Sequence, residues 1–401
     1  MPRLLRDPVT WLVYMQLGAW AYFLYGFSPV VPLLRDEQHV SRGVASLHSV
    51  ALAVGAVLAG AVSPYAARRL GRGNWMWLCL AGAAGGVAIF CLARPIWLTV
   101  PSVLVASVFG SGLIAGVVAT LGERHGAAGP AAIAEANAIA CASGAVAPLL
   151  IGVAVGARLT WRPALAVVIL LIVLVAAAAL IFRVRVPASA LPSGHAAAGR
   201  LPGGYWIAWL LMCATGSVEV CINLWSSDLL RTDTGVSSGA AATAVSGIIG
   251  GMALGRLVGG RLALYIAPPR LLLGMLCVSA AGFALFWLSS LPALAVAGLI
   301  VLGLGNGMHY PLGIGMALGV SGDRPDQAAA RANYGLFVSF GLAPFLLGAV
   351  ADRIGPRLAF LLIPCLLVAA ALLVPPLARR LRAVPVPAVA PAISGVEAPL
   401  P

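Results

Sequence analysis

Apolar residues fall in twelve long runs, at about 10–33, 44–64, 76–93, 97–119, 133–156 and 162–182, then 205–227, 237–264, 271–289, 293–318, 332–350 and 358–377. A bilayer's hydrocarbon core needs about 20 predominantly apolar residues per helix, so each run predicts a membrane-spanning helix. Six runs precede the stretch RVRVPASALPSGHAAAGRLPGG, from Arg183, and six follow it. Its Pro, Gly, Ala and Arg content reads as a linker. The pattern divides the chain into a first half at 1–183, a linker at 184–203, a second half at 204–382 and a Pro-rich, disordered tail at 383–401.

The halves repeat each other. LLRDEQHVSRGVA, from Leu33, returns as LLRTDTGVSSGAA, from Leu229, and 229 − 33 = 196. The same offset carries EANAIACASGAVAPLLIG, from Glu135, onto RANYGLFVSFGLAPFLLG, from Arg331. A register held over so long a separation points to duplication of one half. Six spans return the chain to its starting side, so the copies run parallel and are related by an axis along the membrane normal. The expected fold is an all-α membrane protein of twelve transmembrane helices, in two six-helix halves with pseudo-two-fold symmetry.

Composition agrees. Of 401 residues, 61% are hydrophobic and 9% charged, with mean hydropathy +1.00; a soluble domain could not hide that much apolar surface. The net charge of +13 would point to nucleic acid in a soluble protein. Here arginines in loops fit contact with anionic membrane lipid, and nucleic acid is not expected as a partner. With the N-terminus inside, seventeen arginines face the cytoplasm and eight face out, which predicts a plasma (inner) membrane protein with both termini cytoplasmic. The first run is too long for a cleavable signal and reads as a retained span. All seven cysteines lie in apolar segments without metal-ligand spacing, as small buried hydrophobes would.

The eighth run carries Gly247, Gly251, Gly255 and Gly259; one period earlier stand Ala51, Gly55, Ala59 and Ser63. Small residues four apart let helices approach closely, and these faces are also candidates for surfaces on which the halves slide. Basic turns follow: RRLGRG, with Arg68, Arg69, Gly71 and Arg72, and GRLVGGRLALYIAPPR, with Arg256 and Arg261. In these turns, as in topology and repeat, the chain resembles the major facilitator superfamily. That family's loops after the second and eighth spans carry a glycine–acid–arginine–glycine–basic signature, and the resemblance implies a gating role for these loop residues. Here Pro64 and Leu264 stand where the acid belongs. The cleaner match by letters, GAVADRIGPR with Asp352 and Arg353, falls on the other face and reads as a surface ion pair. GSVEVCINLWSSDLL and GLGNGMHYPLGIG are further similar to segments of fucose-permease-like members.

Polar groups at membrane depth are costly and usually face a cavity. Glu219, about two-thirds through the seventh span, is the candidate proton carrier, because desolvation disfavours the charged form of any carboxyl. Asn223 shares its face, and Trp225 follows. In the tenth span Asn306, His309 and Tyr310 lie among glycines that permit an irregular helix able to expose carbonyls; a lone His on an apolar helix is equally a packing residue. Tyr22 and Tyr25 in the first span offer hydroxyls to a sugar or aromatic solute. Asn137 and Asn333 occupy matching positions and read as helix-to-helix hydrogen bonds. Glu135 and Arg331, opposite in sign, are candidates for a cytoplasmic gate.

No nucleophile–base arrangement, phosphate loop or metal spacing occurs. The expectation is a monomeric secondary active transporter, not an enzyme, with no cofactor and no metal. It would move a sugar-like or other small organic solute by alternating access, with protons as coupling ion. The alternatives are a drug or metabolite efflux pump and, from another class, a non-transporting sensor or scaffold.

Overall fold

The computed structural model describes residues 6–186, 200–322 and 324–382. Most of the linker and the whole 383–401 tail lie outside the described residues. Among those described there is no strand. The segments run in order Pro8–Gln38, Arg42–Leu70, Arg72–Leu92, Ile96–His125, Gly129–Gly156 and Trp161–Ile181, then Gly203–Thr234, Ser238–Leu262, Pro268–Leu288, Pro292–Gly319, 325–354 and Pro356–Arg382. They are called the first to twelfth spans. Eleven are helices long and apolar enough to cross a membrane. The eleventh span is cut by a π turn, Val338–Leu342, into Pro325–Phe337 and Ala343–Ile354. Lipid leaves backbone groups no outside partner, so spans must be helical except where they face protein or a cavity.

The duplication is visible in the caps. Ser41 and Ser237 stand one period apart (237 − 41 = 196), and each hydroxyl accepts a backbone N–H three residues on, at 3.2 Å. Just before them, His39 (φ 53°) and Gly235 (φ 67°) end the first and seventh spans in the left-handed conformation.

Within the first half, the first span packs on the fifth and the second on the fourth; within the second half, the tenth packs on the eighth and ninth. The glycine stripe explains the tenth-on-eighth contact. A methyl on Gly251 would overlap the Ile300 carbonyl, one on Gly255 the Leu304 carbonyl, and one on Gly259 the Met308 side chain; Gly247 abuts Ile300 as well. Gly55 does the same for the second and fourth spans, where a methyl would meet Ser107 at 2.6 Å. Both stripes therefore lie inside a half, and the expectation that the halves slide on them is corrected. The halves meet instead along the fifth and eighth spans, where a methyl on Gly152 would stand 2.6 Å from the Gly239 carbonyl, and between the second and eleventh. Two of the seven cysteines, Cys277 and Cys365, are exposed on the apolar exterior and not buried.

Candidate functional site

A narrow cavity of about 60 Å³ opens between the halves. Leu24, Tyr25, Phe27, Ser28, Ser49 and Leu52 line it from the first half, and Glu219, Val220, Asn223, Leu224 and Phe340 from the second. Glu219 sits at the middle of its helix, since 219 − 203 = 16 and 234 − 219 = 15. The chain's two-thirds placement is thus corrected, because the seventh span extends well past the apolar run. Asn223 donates to the Glu219 backbone carbonyl at 2.9 Å, and its own side-chain oxygen is buried without a partner. Phe340 reaches the cavity from the π turn; such turns recur at functional sites. Tyr310, on the tenth span, feels the Glu219 charge.

Arg256 belongs to this group and not to a loop. The eighth span continues to Leu262 and holds Arg256 inside the bundle, half-buried. Its Nε donates to the Gly307 carbonyl at 3.3 Å and its Nη1 to the Cys141 sulfur, while Tyr25 is a further hydrogen-bond partner. The Gly307 carbonyl lacks its i+4 donor because that residue is Pro311, and the tenth span breaks there, between Pro292–Asn306 and His309–Gly319. Glu219 and Arg256 attract each other electrostatically, yet no ion pair joins them among the described residues. Tyr25 and Cys141 from one half thus come close to Glu219 and Arg256 from the other.

Other candidates are placed elsewhere. The Tyr22 hydroxyl donates to the Ala164 carbonyl at 2.7 Å, tying the first span to the sixth. The Trp225 indole donates to the Pro344 carbonyl at 3.2 Å, and both rings are buried. His309 is buried against the ninth span, with Nε2 3.3 Å from the Ser279 hydroxyl; Asn306, one turn earlier, is also buried and outside the cavity lining. Arg68, Arg69 and Arg261 are exposed at span ends, and Arg69 covers the Tyr65 ring. Arg72 is buried and bonds Glu123, at the end of the fourth span, at 2.5–2.6 Å. An acid absent from the loop motif is therefore supplied in space by another helix. Asn137 bonds its own helix at Ile133, so it makes no helix-to-helix bond; the Asn333 side chain lies outside the described residues.

An even number of crossings puts residues 6, 186, 200 and 382 on one side, the termini side, and leaves the other as the far side. On the far side charges bridge the halves. Asp228 forms an ion pair with Arg35 at 2.8 Å and accepts from Arg42 at 2.7 Å; Arg231 reaches Asp36 at 2.7 Å. Asp352 accepts the backbone N–H groups of Arg42 (2.9 Å) and Gly43 (2.8 Å). It caps a helix of the opposite half, which corrects the reading of it as a surface partner of Arg353. On the termini side the recorded pairs stay within a half. Arg6 binds Glu135 at 2.6 Å, Arg124 binds Asp7, and Arg331 stacks over Trp206. Glu135 and Arg331 are not brought together in this conformation. Sequence reasoning missed the far-side cluster, though the repeat held a signal. LLR closes the first span at Arg35 and the seventh at Arg231, each with an acid nearby, and the pseudo-two-fold axis brings those ends together.

A cavity at mid-depth between two like six-helix halves, holding one carboxyl and closed on one side by cross-half charges, fits an alternating-access carrier. A family model described as Major Facilitator Superfamily matches residues 9–219 and 207–399. The chain belongs to that superfamily, whose members are transporters, and it is a multi-pass membrane protein. No curated relative matches it in sequence. The fold is similar to the nucleoside transporter NupG (TM-score 0.73, 13% identity, 93% of this chain and 98% of that one). It is also similar to an inward-facing bacterial homologue of the human lysosomal transporter Spinster (0.69, 14%, 93% and 94%) and to the E. coli fucose:proton symporter FucP (0.60, 15%, 92% and 98%).

Proposed function

We propose that the protein couples proton movement to transport of a small organic solute through the cavity at Glu219, with both termini cytoplasmic in a bacterial plasma membrane. The observation that carries this reading is a single carboxyl at the middle of a span, facing a cavity shared by both halves. An ionisable group at that depth is expensive unless it serves a pathway. Arg256, Tyr25 and Tyr310 are the charged and titratable groups around it. The fold alone does not choose the cargo: the solved neighbours include a nucleoside transporter, a fucose:proton symporter and a bacterial homologue of drug peptide transporters.

The test uses proteoliposomes that carry a pH dye and are challenged with candidate solutes. Wild-type protein is expected to move protons with its solute. Glu219→Gln is expected to lose that proton movement while keeping solute exchange. A pH-gradient dependence unchanged in Glu219→Gln sinks the assignment.

A further inference from the structure

Arg256 is a guanidinium within a membrane-spanning bundle whose recorded partners are a backbone carbonyl, a cysteine sulfur and a tyrosine. None is a carboxylate. An isolated charge out of water is costly, and such residues pair with an opposite charge or serve a substrate. Glu219 is the acid whose field it feels, but the two form no ion pair. A guanidinium's planar fork matches a carboxylate in a two-point hydrogen bond. Arg256 is not itself among the residues that line the cavity; Tyr25 links the two, and beyond Tyr25 the wall sets Leu24, Phe27, Leu52 and Phe340 beside Ser28, Ser49 and Asn223. The guanidinium fits an acid group and the apolar part of the wall an apolar body.

We propose that the transported solute is a small organic acid with an apolar body, and that Arg256 holds its carboxylate beside Tyr25. The inference rests on Glu219 as proton carrier, and charge balance then explains the coupling. In the empty carrier, the Glu219 carboxylate balances Arg256. In the loaded carrier the proton sits on Glu219 and the solute's carboxylate balances Arg256. Both forms carry no net charge within the bundle. A proton alone leaves net positive charge there, and an anion alone leaves net negative charge. Transport is therefore one proton with one monocarboxylate, and electroneutral.

The experiment measures thermal unfolding of the purified full chain, by tryptophan fluorescence, against lactate, 4-methylpentanoate, benzoate and phenylacetate, each paired with its primary amide. At least one acid is expected to bind roughly tenfold or more tightly than its amide, as a charge-assisted pair requires. Arg256→Gln should abolish that preference and Arg256→Lys should keep part of it. The wild-type comparison stands even if a variant fails to fold. Amides binding as tightly as acids, an acid preference that survives Arg256→Gln, or no binding across the panel overturns the proposal. In proteoliposomes the bound acid should move at a rate insensitive to an imposed potassium diffusion potential; a potential-sensitive rate overturns electroneutral pairing. An acid held by Arg256 but moved without any pH-gradient dependence would instead sink the proton reading and leave the anion site standing. A neutral amide accumulated by the pH gradient would do the reverse.

Discussion

Asp228→Asn tests whether the cross-half charges hold the far side shut. The Asp228 side chain is 3% exposed, pairs with Arg35 Nη1 at 2.8 Å and accepts from Arg42 Nε at 2.7 Å, both from the opposite half. Each charge-assisted bond is worth about 1.5–3 kcal/mol. An amide keeps the shape and one acceptor but turns an N–H₂ toward a guanidinium. Arg35 retains Asp36 as a partner, and Arg42 stays near Asp352. The net loss to the closed arrangement is therefore about 2–3 kcal/mol, equivalent to a roughly 30- to 150-fold shift in the closed-to-open ratio. Spin labels at Arg94→Cys and Leu291→Cys, on far-side loops of the two halves, report the opening by electron–electron resonance distance once the exposed Cys277 and Cys365 are replaced by Ser. The expected result is a new, longer distance population. Asp233→Asn is the control, since its bond to Arg357 at 2.9 Å stays within the second half. An unchanged distribution in Asp228→Asn, or an equal change in the control, refutes the reasoning.

Gly255→Ala should destabilise the fold by the roughly 1–3 kcal/mol typical of overpacking, read as a lower thermal midpoint, because its methyl would land on the Leu304 carbonyl, whereas Gly260→Ala meets open space and should not. Tyr22→Phe should cost about 0.5–1.5 kcal/mol, because the Ala164 carbonyl loses the hydroxyl but keeps its own helix's N–H, and should leave transport intact; a transport defect in a stable Tyr22→Phe protein would contradict its structural role. Asp7, the N-cap of the first span, is pushed up by burial but pulled further down, to about 2, by hydrogen bonds from Arg124 and Thr10. Its stabilising effect is then full above the ordinary carboxylate range near pH 4 and fades as pH falls toward 2. The midpoint gap between wild type and Asp7→Asn should shrink over that window.

Span number, the half repeat and the superfamily were legible in the chain because lipid forces helices and because duplication leaves a constant offset. The caps Ser41 and Ser237 carry that same offset. Glu219 was legible too, as an acid in an apolar run. Arg256 was not. It stands close to a basic turn in sequence, and only the helix's extension to Leu262 and the break at Gly307 place it inside the bundle, near Tyr25. Tyr22 and Tyr25, three residues apart on one helix, divided between a packing bond and the site. Linear spacing says which residues share a face but not what that face meets.

From sequence alone come the membrane, the helices, the two copies and a short set of polar residues that each cost something to bury. These are local or periodic properties, set by transfer free energies and by the offset of 196. The site polar residues also break the repeat: Glu219 stands opposite Phe23, Tyr25 opposite Cys221 and Arg256 opposite Gly60. Tertiary structure decided which of them meet, and on which side the halves are tied. Pairings such as Arg35 with Asp228, or Glu123 with Arg72, join residues far apart in the chain. They arise from how twelve helices pack around a common axis, and no run of letters encodes that distance.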